Sequence, residues 1–450
     1  MSASHAGQLM QLYDSWSERT LTPSSRASAR MGILDILGCI VAGSRTSTAG
    51  TVRELAVEQG GVQQASVPGT GVRLPAALAA LANGVAGHVL DFDDMNATLI
   101  GHPSVVLVPA IMALGEGRAL SGAAFVDAYV LGFEVAAYFG RIMVPRHYDA
   151  GWHTTSSLGI LGAAAACSRV LGLDARGMLN ALAIAASNVA GLRANFGSET
   201  KSLHAGQAAE GAVRAAMLSA RGFGANVGLF DSAHGLFATY GANPEPKQAP
   251  ADGGLEIDAS GIGIKPYACC GAGISVIDVM LDLHAEGLPP VEDLLDIDCA
   301  VTGMATRIMP LQQAANGLEG KYCIAYCAAV AYLDGAGGLA QFDDGRVRRE
   351  DVQALMKRVN VRVAPHLASG EGRFGVELTI RRRDGTTHAA QVVLPRGHPQ
   401  RTLSADALLR KFTDCASPVL GEQRSAEAAR LVDGLEAVGD IRQLSELLRS

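Results

Sequence analysis

The chain has 450 residues, of which 48% are hydrophobic and 18% charged, and 37 basic against 44 acidic side chains leave a formal charge of −7. This composition excludes a disordered chain, and the lack of a long basic run argues against nucleic acid or an anionic membrane as a partner. The length exceeds that of one ordinary hydrophobic core, so more than one domain is expected.

The segment MSASHAGQLMQLYDSW has no cationic start followed by an apolar block, and no stretch contains 18 consecutive apolar residues. The sequence therefore predicts neither a secretory signal nor a membrane span, and it favours a cytoplasmic location. Eight cysteines occur without a CxxC pair or a metal-type spacing, so we expect reduced thiols, no metal and no iron–sulfur cluster. Without a P-loop or a GxGxxG turn after a strand, no cofactor is expected.

Helical periodicity dominates the first half of the chain. A first helix is predicted over residues 6–18, and Thr22-Pro23 opens a second that stops at Gly43, because Pro suits the first turn and Gly the end. Further helices are predicted at 50–59, at 75–90 and at 104–142 with a break at 120–122. No strand pattern precedes residue 255, so residues 1–260 are expected to form an all-helical domain.

The segment HVLDFDDMNATLIGHPS, residues 88–104, places three carboxylates, two histidines and a threonine between two apolar runs. Charge is rarely buried unless it is paired or used in chemistry. One hypothesis is a general acid/base site in which His102 and Asp91 reach a substrate proton. The alternative is structural: the Asp side chains cap the following helix, and the histidines are hydrogen-bonded inside the core. The residue types alone leave both open.

A second polar segment, Gly151-Trp152-His153-Thr154-Thr155, precedes the apolar run 158–171. If a helix starts here, His153 and Thr154 lie at its N-terminus, where the dipole and free N–H groups favour a carboxylate. The alternative is that the hydroxyls only cap the helix.

A third segment places Lys201 and His204 three residues apart, on one face at the start of a predicted helix over 203–220. The lysine could pair with a substrate carboxylate or stabilise an enolate-like charge. The alternative is a surface lysine beside Glu199.

Strands are expected only in the second half, after a linker rich in Pro and Gly at 245–262. They are predicted at 297–304, 358–364, 375–381 and 388–394, the last two joined by a hairpin turn at Asp384-Gly385. Helices are predicted at 273–287, 321–334, 350–357, 404–415 and 424–448. The fold class is therefore mostly α. A large all-helical domain, residues 1–260 plus the returning C-terminal helices 401–450, is expected to carry a smaller inserted α+β domain over 261–400.

HVLDFDD followed by a short variable run and GHPS resembles a signature of the MmgE/PrpD family. Other segments are similar to family segments in the same order: RHYDAGWHTTSSLG, NFGSETKSLHAGQAAEGA, KPYACCGAGISVID, KYCIAYCAAVAYLDG and LPRGHP. Family members include 2-methylcitrate dehydratase, cis-aconitate decarboxylase and iminodisuccinate epimerase. The resemblance implies a helical domain joined to a smaller α+β domain, a homodimer, and an active site between the two domains.

Carried over by motif, the resemblance implies site residues in each segment. The catalytic candidates are Asp91, His102, His153, Lys201 and Tyr326. The substrate-binding candidates are Thr98, Thr154, His204 and Tyr322, the last lying one helical turn from Tyr326. Two positions depart from the family pattern: Met95 stands where many relatives have Thr, and Ile274 where relatives often have His. Both departures affect substrate contacts more than the basic chemistry.

The implied chemistry is formation of a carbanion next to a carboxylate, with a histidine as base and cationic groups holding the charge. We therefore expect a cofactor-independent lyase of the 2-methylcitrate dehydratase type, which removes water from a small hydroxylated di- or tricarboxylate. Decarboxylation or epimerisation of a related dicarboxylate is an alternative. A catalytically silent helical scaffold dimer is another, and Met95 and Ile274 favour it.

Overall fold

The computed structural model describes residues 4–368 and 374–450, apart from the side chains of Asp252 and Ala368. It is 59% helical and 9% strand, which confirms the mostly α class. The helices of the first half are α1 His5–Asp14, α2 Pro23–Gly43, α3 Ser47–Glu58, α4 Ala76–His88, α5 Ser104–Gly115, α6 Gly122–Met143, α7 Arg146–Asp149, α8 Thr154–Ser157, α9 Gly159–Leu171, α10 Ala175–Ala186, α11 Thr200–Ser219, α12 Leu236–Tyr240 and α13 Glu256–Ala259.

Local signals fix several of these boundaries. The Thr22 side chain accepts a hydrogen bond from the Ser25 N–H at the start of α2, and Ser121 caps α6 in the same way through Ala124, which explains the predicted break. The prediction of a plain linker at 245–262 is wrong in part, because α13 lies within it and buries Glu256.

The expectation of no strand before residue 255 is also wrong. Two strands of two residues each, β1 Ala65–Ser66 and β2 Arg73–Leu74, pair antiparallel. The buried carboxylate of Glu116 accepts the Ser66 N–H and a hydrogen bond from the Arg73 guanidinium. Strands this short carry no alternation of apolar and polar residues, so the pattern could not reveal them.

The second half contains a four-stranded mixed sheet in the order β4-β3-β5-β6. Its strands are β3 Leu294–Val301, β4 Val359–Val363, β5 Val376–Arg382 and β6 Thr387–Val392, and only the β3–β4 pair is parallel. The helices of this half are α14 Gly271–Gly287, α15 Gly303–Ile308, α16 Gly317–Gly320, α17 Ile324–Asp334, α18 Asp344–Val347 and α19 Glu350–Met356. Helix α14 packs on β5 and β6.

The predicted hairpin at Asp384-Gly385 is confirmed. Strands β5 and β6 pair antiparallel up to Arg381 and Thr387, and Gly385 has the positive φ, +88°, that the turn requires. The predicted strand 297–304 ends earlier, because the Thr302 side chain caps α15 and starts a helix there.

The C-terminal helices are α20 Ala405–Leu420, α21 Glu422–Asp433 and α22 Arg442–Leu447, so the single helix predicted at 424–448 is two. Helices α20 and α21 contact α2, in the first half of the chain. Lys411 of α20 is buried, lies 2.5 Å from the Asp35 carboxylate, and donates to the Phe92 carbonyl at 2.6 Å. This contact ties the end of the chain to the DFDD segment. The domain boundaries at residues 260 and 400 remain predictions.

Helix α6 is long and apolar enough to cross a membrane by composition, and the bent pair α2–α3 would count as a second such segment if it were one span. However, 78% of the most apolar window of α6 is buried inside the protein. Two of its three charged side chains, Glu134 and Arg141, are buried against the α13 segment, and the third, Asp127, pairs with Arg169. These features are those of a core helix.

The Lys411 contact generates a stability prediction. Burial raises the pKa of Asp35 to about 6 even though the Lys411 ammonium opposes the shift. Replacing Lys411 by Met leaves that carboxyl without its cation and should lower the free energy of unfolding by about 3 kcal/mol. The loss should be larger at pH 8 than at pH 6, because a carboxyl with a raised folded-state pKa destabilises the fold as the pH rises.

Urea denaturation at both pH values measures this effect. Lys357→Met, at an exposed position, is the matched control. Asp35→Asn combined with Lys411→Met should recover part of the loss. Equal stability of Lys411→Met and the control would contradict the prediction.

Candidate active site

A pocket of about 750 Å³ lies where the loop after α4 meets the segment before α14. Among the polar residues that line it, seven come from five segments that meet at one wall: Asp91, His102, His153, Thr155, Lys201, Lys265 and Tyr322. Four of the five catalytic candidates are therefore brought together, and they come from separate motifs.

An ion triad of one carboxylate and two lysines forms the centre of the pocket. The Lys201 and Lys265 ammonium groups lie 2.7 Å and 2.8 Å from Oδ1 of Asp91, and all three side chains are buried. Burial alone would raise the pKa of Asp91, but the two ammonium groups hold it well below its usual value. Two positive charges minus one negative leave one net positive charge, which suits an anionic ligand.

Close helix packing places this triad. A Cβ on Gly84 of α4 would lie 2.7 Å from the Cα of Gly206 of α11, so only glycines allow the two helices to approach this closely. Asp91 follows the end of α4, and Lys201 lies in the first turn of α11. The glycine contact therefore sets the distance between the carboxylate and one of its lysines.

The loop that carries the motif is strained at both ends. Asp91 has φ +48° and Ile100 has φ +46°, a region that side chains other than glycine rarely adopt. Lys265 Nζ donates to the Asp91 carbonyl at 3.0 Å, and the Thr154 hydroxyl donates to the Ile100 carbonyl at 2.6 Å. These contacts hold the strained loop in place.

His102 has a defined tautomer. Its Nδ1 lies 2.6 Å from the Asp94 backbone carbonyl, which can only accept, so Nδ1 carries the proton and Nε2 the lone pair. Burial lowers the pKa of His102 to about 3. The ring is therefore neutral at physiological pH, and its Nε2 lone pair faces no competing proton.

Two further histidine contacts support the pocket. His88 Nδ1 lies 2.8 Å from Oδ2 of Asp93, and His153 Nδ1 lies 3.2 Å from Nδ1 of His204. Burial lowers the pKa of each of these three histidines, to about 4 for His204, so all are neutral.

One group of described residues could hold a metal ion. His88, Asp93 and His102 offer ligand atoms that lie within 4.8 Å of one another. In this structure the Nδ1 atoms of both rings instead contact oxygen atoms at hydrogen-bond distance.

Several polar atoms at the pocket lack hydrogen bonds. Among the described residues, Asp91 Oδ2, His153 Nε2 and the Tyr322 hydroxyl are buried without a well-formed partner. Buried polar atoms are normally paired, so unpaired ones on a pocket wall mark positions where a ligand can bind.

The structural alternative for the DFDD segment, in which its Asp side chains cap the following helix, holds for Asp94. Asp94 accepts the backbone N–H and the hydroxyl of Ser104, the first residue of α5, and burial raises its pKa well above its usual value. Thr98, expected to bind substrate, instead donates to the buried carboxylate of Glu256 and does not line the pocket.

In the segment 151–155 the hydroxyls do not serve only as helix caps, and in the segment 201–204 the lysine is not at the surface. His153 occupies the N-cap position of α8, but neither its ring nor the Thr154 hydroxyl caps the helix. His204 contacts the pocket only through His153. Lys201 is buried in the ion triad and is not a surface lysine.

The structure separates the two tyrosine candidates. Tyr322 lines the pocket, and burial together with the nearby Asp91 carboxylate raises its pKa well above its usual value, so its hydroxyl stays protonated. Tyr326, expected to be catalytic, is not brought to the pocket: its hydroxyl donates to the Gln341 carbonyl, and its ring contacts Phe342. Tyr322 precedes α17, whereas Tyr326 lies within its first turn, so the two side chains have different surroundings.

Sequence reasoning did not single out Lys265. It is fully buried, and although burial alone would lower its pKa, the Asp91 and Asp93 carboxylates raise it. The signal was a lysine between apolar residues at the start of the KPYACC segment. Of the two family departures, Met95 lines the pocket, whereas Ile274 is buried within α14.

Comparisons with known proteins cover nearly the whole chain. Residues 8–249 match the model of the MmgE/PrpD N-terminal domain, and residues 267–437 match that of the MmgE/PrpD C-terminal domain. The chain is 30% identical over 446 residues to a cis-aconitate decarboxylase of Mus musculus, covering 94% of this chain and 89% of the relative. It is 29% identical to the cis-aconitate decarboxylase of Homo sapiens, again over 94% of this chain and 89% of the relative. It is 26% identical to that of Aspergillus terreus, over 93% of this chain and 91% of the relative.

The different surroundings of the two tyrosines lead to opposite expectations. Tyr322→Phe removes a donor at the pocket wall, so turnover of a carboxylate substrate should fall about tenfold to a hundredfold with little change in stability. Tyr326→Phe leaves the Gln341 carbonyl unpaired and should cost about 1–3 kcal/mol of stability, with turnover retained by the folded fraction. Steady-state kinetics and thermal melts of both variants measure this, and the reverse pattern would restore Tyr326 as the site residue.

The lowered pKa of His102 predicts a pH effect on stability. In the unfolded chain this histidine takes up a proton below about pH 6.5, whereas in the folded protein it does so only near pH 3, so it destabilises the fold as the pH falls from 6.5. Replacing His102 by Gln should therefore flatten the acid loss of unfolding free energy by up to about 1.4 kcal/mol per pH unit. Urea unfolding between pH 5 and pH 7 measures the slope, with exposed His234→Gln as the control; identical slopes would contradict the assignment.

Proposed function

Since the chain belongs to the MmgE/PrpD family, we propose that it is a cofactor-independent lyase of small di- or tricarboxylates. Its reaction passes through a carbanion next to a carboxylate. The observation that carries this proposal is the net positive ion triad of Asp91, Lys201 and Lys265, beside the neutral His102 ring.

The triad is suited to hold negative charge that develops on a carboxylate. Its ammonium groups are fixed by Asp91 in a buried site, where they act on a charge without prior reorganisation. Asp91 Oδ2 and the Tyr322 hydroxyl, neither of which has a well-formed hydrogen bond, offer an acceptor and a donor on the same wall. A catalytically silent scaffold would gain nothing from buried polar atoms that lack well-formed hydrogen bonds, because such atoms cost stability.

Decarboxylation is the first candidate reaction, because the relatives described above are cis-aconitate decarboxylases. The bond between a carboxyl carbon and its neighbour breaks, and CO₂ leaves without the bonding electron pair. That pair delocalises toward a second carboxylate near Lys201 and Lys265. A proton then bonds to carbon, with the Tyr322 hydroxyl and the lysines as the protonated groups that line the pocket.

Dehydration is the second candidate, and the tautomer of His102 favours it. The lone pair on Nε2 can remove a proton from the carbon next to a carboxylate, after which the β-hydroxyl takes up a proton from the imidazolium so formed or from the Tyr322 hydroxyl and leaves as water. The triad would hold the intermediate charge in the same way. In this scheme the neutral His102 is the base, a role that residue types alone did not assign.

We also propose a homodimer in the cytoplasm. The dimer follows from the family resemblance, and the location is kept as a prediction from the sequence. Sedimentation of the purified chain and fractionation of the native cells test the two statements separately.

The decisive experiment is proton and ¹³C NMR of the purified protein in D₂O with a panel of carboxylates. The panel contains cis-aconitate, hydroxylated tricarboxylates and dicarboxylates. Release of CO₂ identifies decarboxylation, loss of a hydroxyl with a new alkene identifies dehydration, and deuterium exchange alone reveals proton removal or epimerisation.

Lys201→Ala should lower turnover about a hundredfold or more, since one of two fixed charges is lost. The fold should persist, because Lys265 still pairs with Asp91. Lys357→Ala, at an exposed position, is the matched control and should behave as the unchanged protein. Absence of any reaction across the panel, or equal rates for Lys201→Ala and the control, would contradict the lyase and leave the scaffold as the better reading.

A further inference from the structure

His153 and His204 meet through the same ring nitrogen. Their Nδ1 atoms lie 3.2 Å apart, and only 2% and 6% of the two residues is exposed. Each ring is neutral because burial lowers its pKa, so each carries one proton. Two lone pairs or two N–H groups would repel at this distance, so one proton lies between the two Nδ1 atoms. The tautomer of one ring therefore fixes that of the other.

The surroundings of the His153 ring leave its other nitrogen, Nε2, for a ligand. The His88 ring stacks on it with 5.5 Å between centroids, and the Phe196 ring lies nearly perpendicular at 5.0 Å. Nδ1 is directed to His204, which does not line the pocket, whereas His153 does. Among the described residues, Nε2 of His153 is buried without a hydrogen-bond partner. It is therefore the nitrogen that a bound carboxylate can contact.

The backbone around Gly191 keeps the two rings together. The His153 N–H donates to the Gly191 carbonyl at 3.0 Å, and the flanking residues Trp152 and Leu192 form an antiparallel bridge. A Cβ on Gly191 would lie 3.3 Å from Nδ1 of His204, and the φ of this residue, +105°, also suits glycine. Glycine at this position thus leaves the space that the His204 ring occupies.

We propose that His204 is a positioning residue that sets the tautomer of His153, and thereby determines whether the pocket contains a lone pair or an N–H group at Nε2. In the free protein the proton lies on Nδ1 of His153, because the net positive ion triad favours a lone pair toward the pocket. Lys201 of this triad and His153 contact the same Phe196 ring.

A bound carboxylate reverses this preference, because Nε2 must then donate a hydrogen bond. Nε2 of His153 takes one proton from water, its Nδ1 proton passes to Nδ1 of His204, and Nε2 of His204 returns one proton to water. Both rings stay neutral throughout. This inference rests on the proposed lyase function, in which Nε2 binds the substrate as a donor and takes part in proton transfer as an acceptor.

The test is ¹⁵N NMR of the full-length protein with labelled histidine, since the shifts of Nδ1 and Nε2 report which nitrogen carries the proton. Spectra are recorded with and without tricarballylate, a saturated tricarboxylate that has no hydroxyl group or alkene to react. The signals of His153 are assigned by their loss in His153→Asn. The expected result is a proton on Nδ1 of His153 in the free protein and on Nε2 in the complex, with the opposite exchange in His204.

Two variants of His204 test whether it controls the exchange. His204→Leu leaves Nδ1 of His153 without an acceptor, so the proton should stay on Nε2 with or without the ligand. The carboxylate contact then remains but the lone pair is lost, so kcat should fall about tenfold to a hundredfold with little change in KM. His204→Asn places an amide that can donate or accept near the same position, and it should restore the exchange and most of kcat. His234→Leu, at an exposed position, is the matched control.

The outcomes separate this inference from the proposed function. A His153 tautomer that does not respond to tricarballylate, with folding confirmed by circular dichroism, overturns the inference whether or not any acid reacts. The same exchange in His204→Leu as in the control also overturns it, and turnover of an acid in either case leaves the lyase standing. An exchange that requires His204, without turnover of any acid, supports the tautomer coupling and overturns the lyase.

Discussion

The ion triad of Asp91, Lys201 and Lys265 is the constraint on which the site depends. A single buried carboxylate oxygen fixes two ammonium groups that come from opposite halves of the chain. Neither lysine could be buried alone at acceptable cost, and Asp91 could not stay ionised without them. The excess of one positive charge is therefore built into the fold before a ligand binds, which is what preorganised stabilisation of an anion requires.

The DFDD loop is strained, and distant parts of the chain keep it in place. Lys265 binds the Asp91 carbonyl from the segment before α14, and Lys411 binds the Phe92 carbonyl from the C-terminal helix α20. Thr154 fixes the other end of the loop at Ile100. Strain of this kind persists only where the surroundings determine the conformation, and here three separate segments do so.

Charged groups and burial have different roles in the pocket. Burial keeps the histidines neutral, so the positive charge of the site resides on lysines and the lone pair of His102 stays available. The same loop that provides the carboxylate also provides Met95, which adds an apolar surface beside the cations.

The sequence by itself determined the mostly helical class, the β5–β6 hairpin and the segments that carry Asp91, His102, His153 and Lys201. These follow from local periodicity, turn chemistry and motif residues, which act over a few positions. Only the tertiary structure decided that Lys265 and Lys201 both pair with Asp91. It also decided that Tyr322 and not Tyr326 reaches the pocket, and that the Thr98 hydroxyl donates to Glu256. The reason is physical: these contacts join residues far apart in the chain, and burial, glycine-mediated helix approach and backbone strain set them.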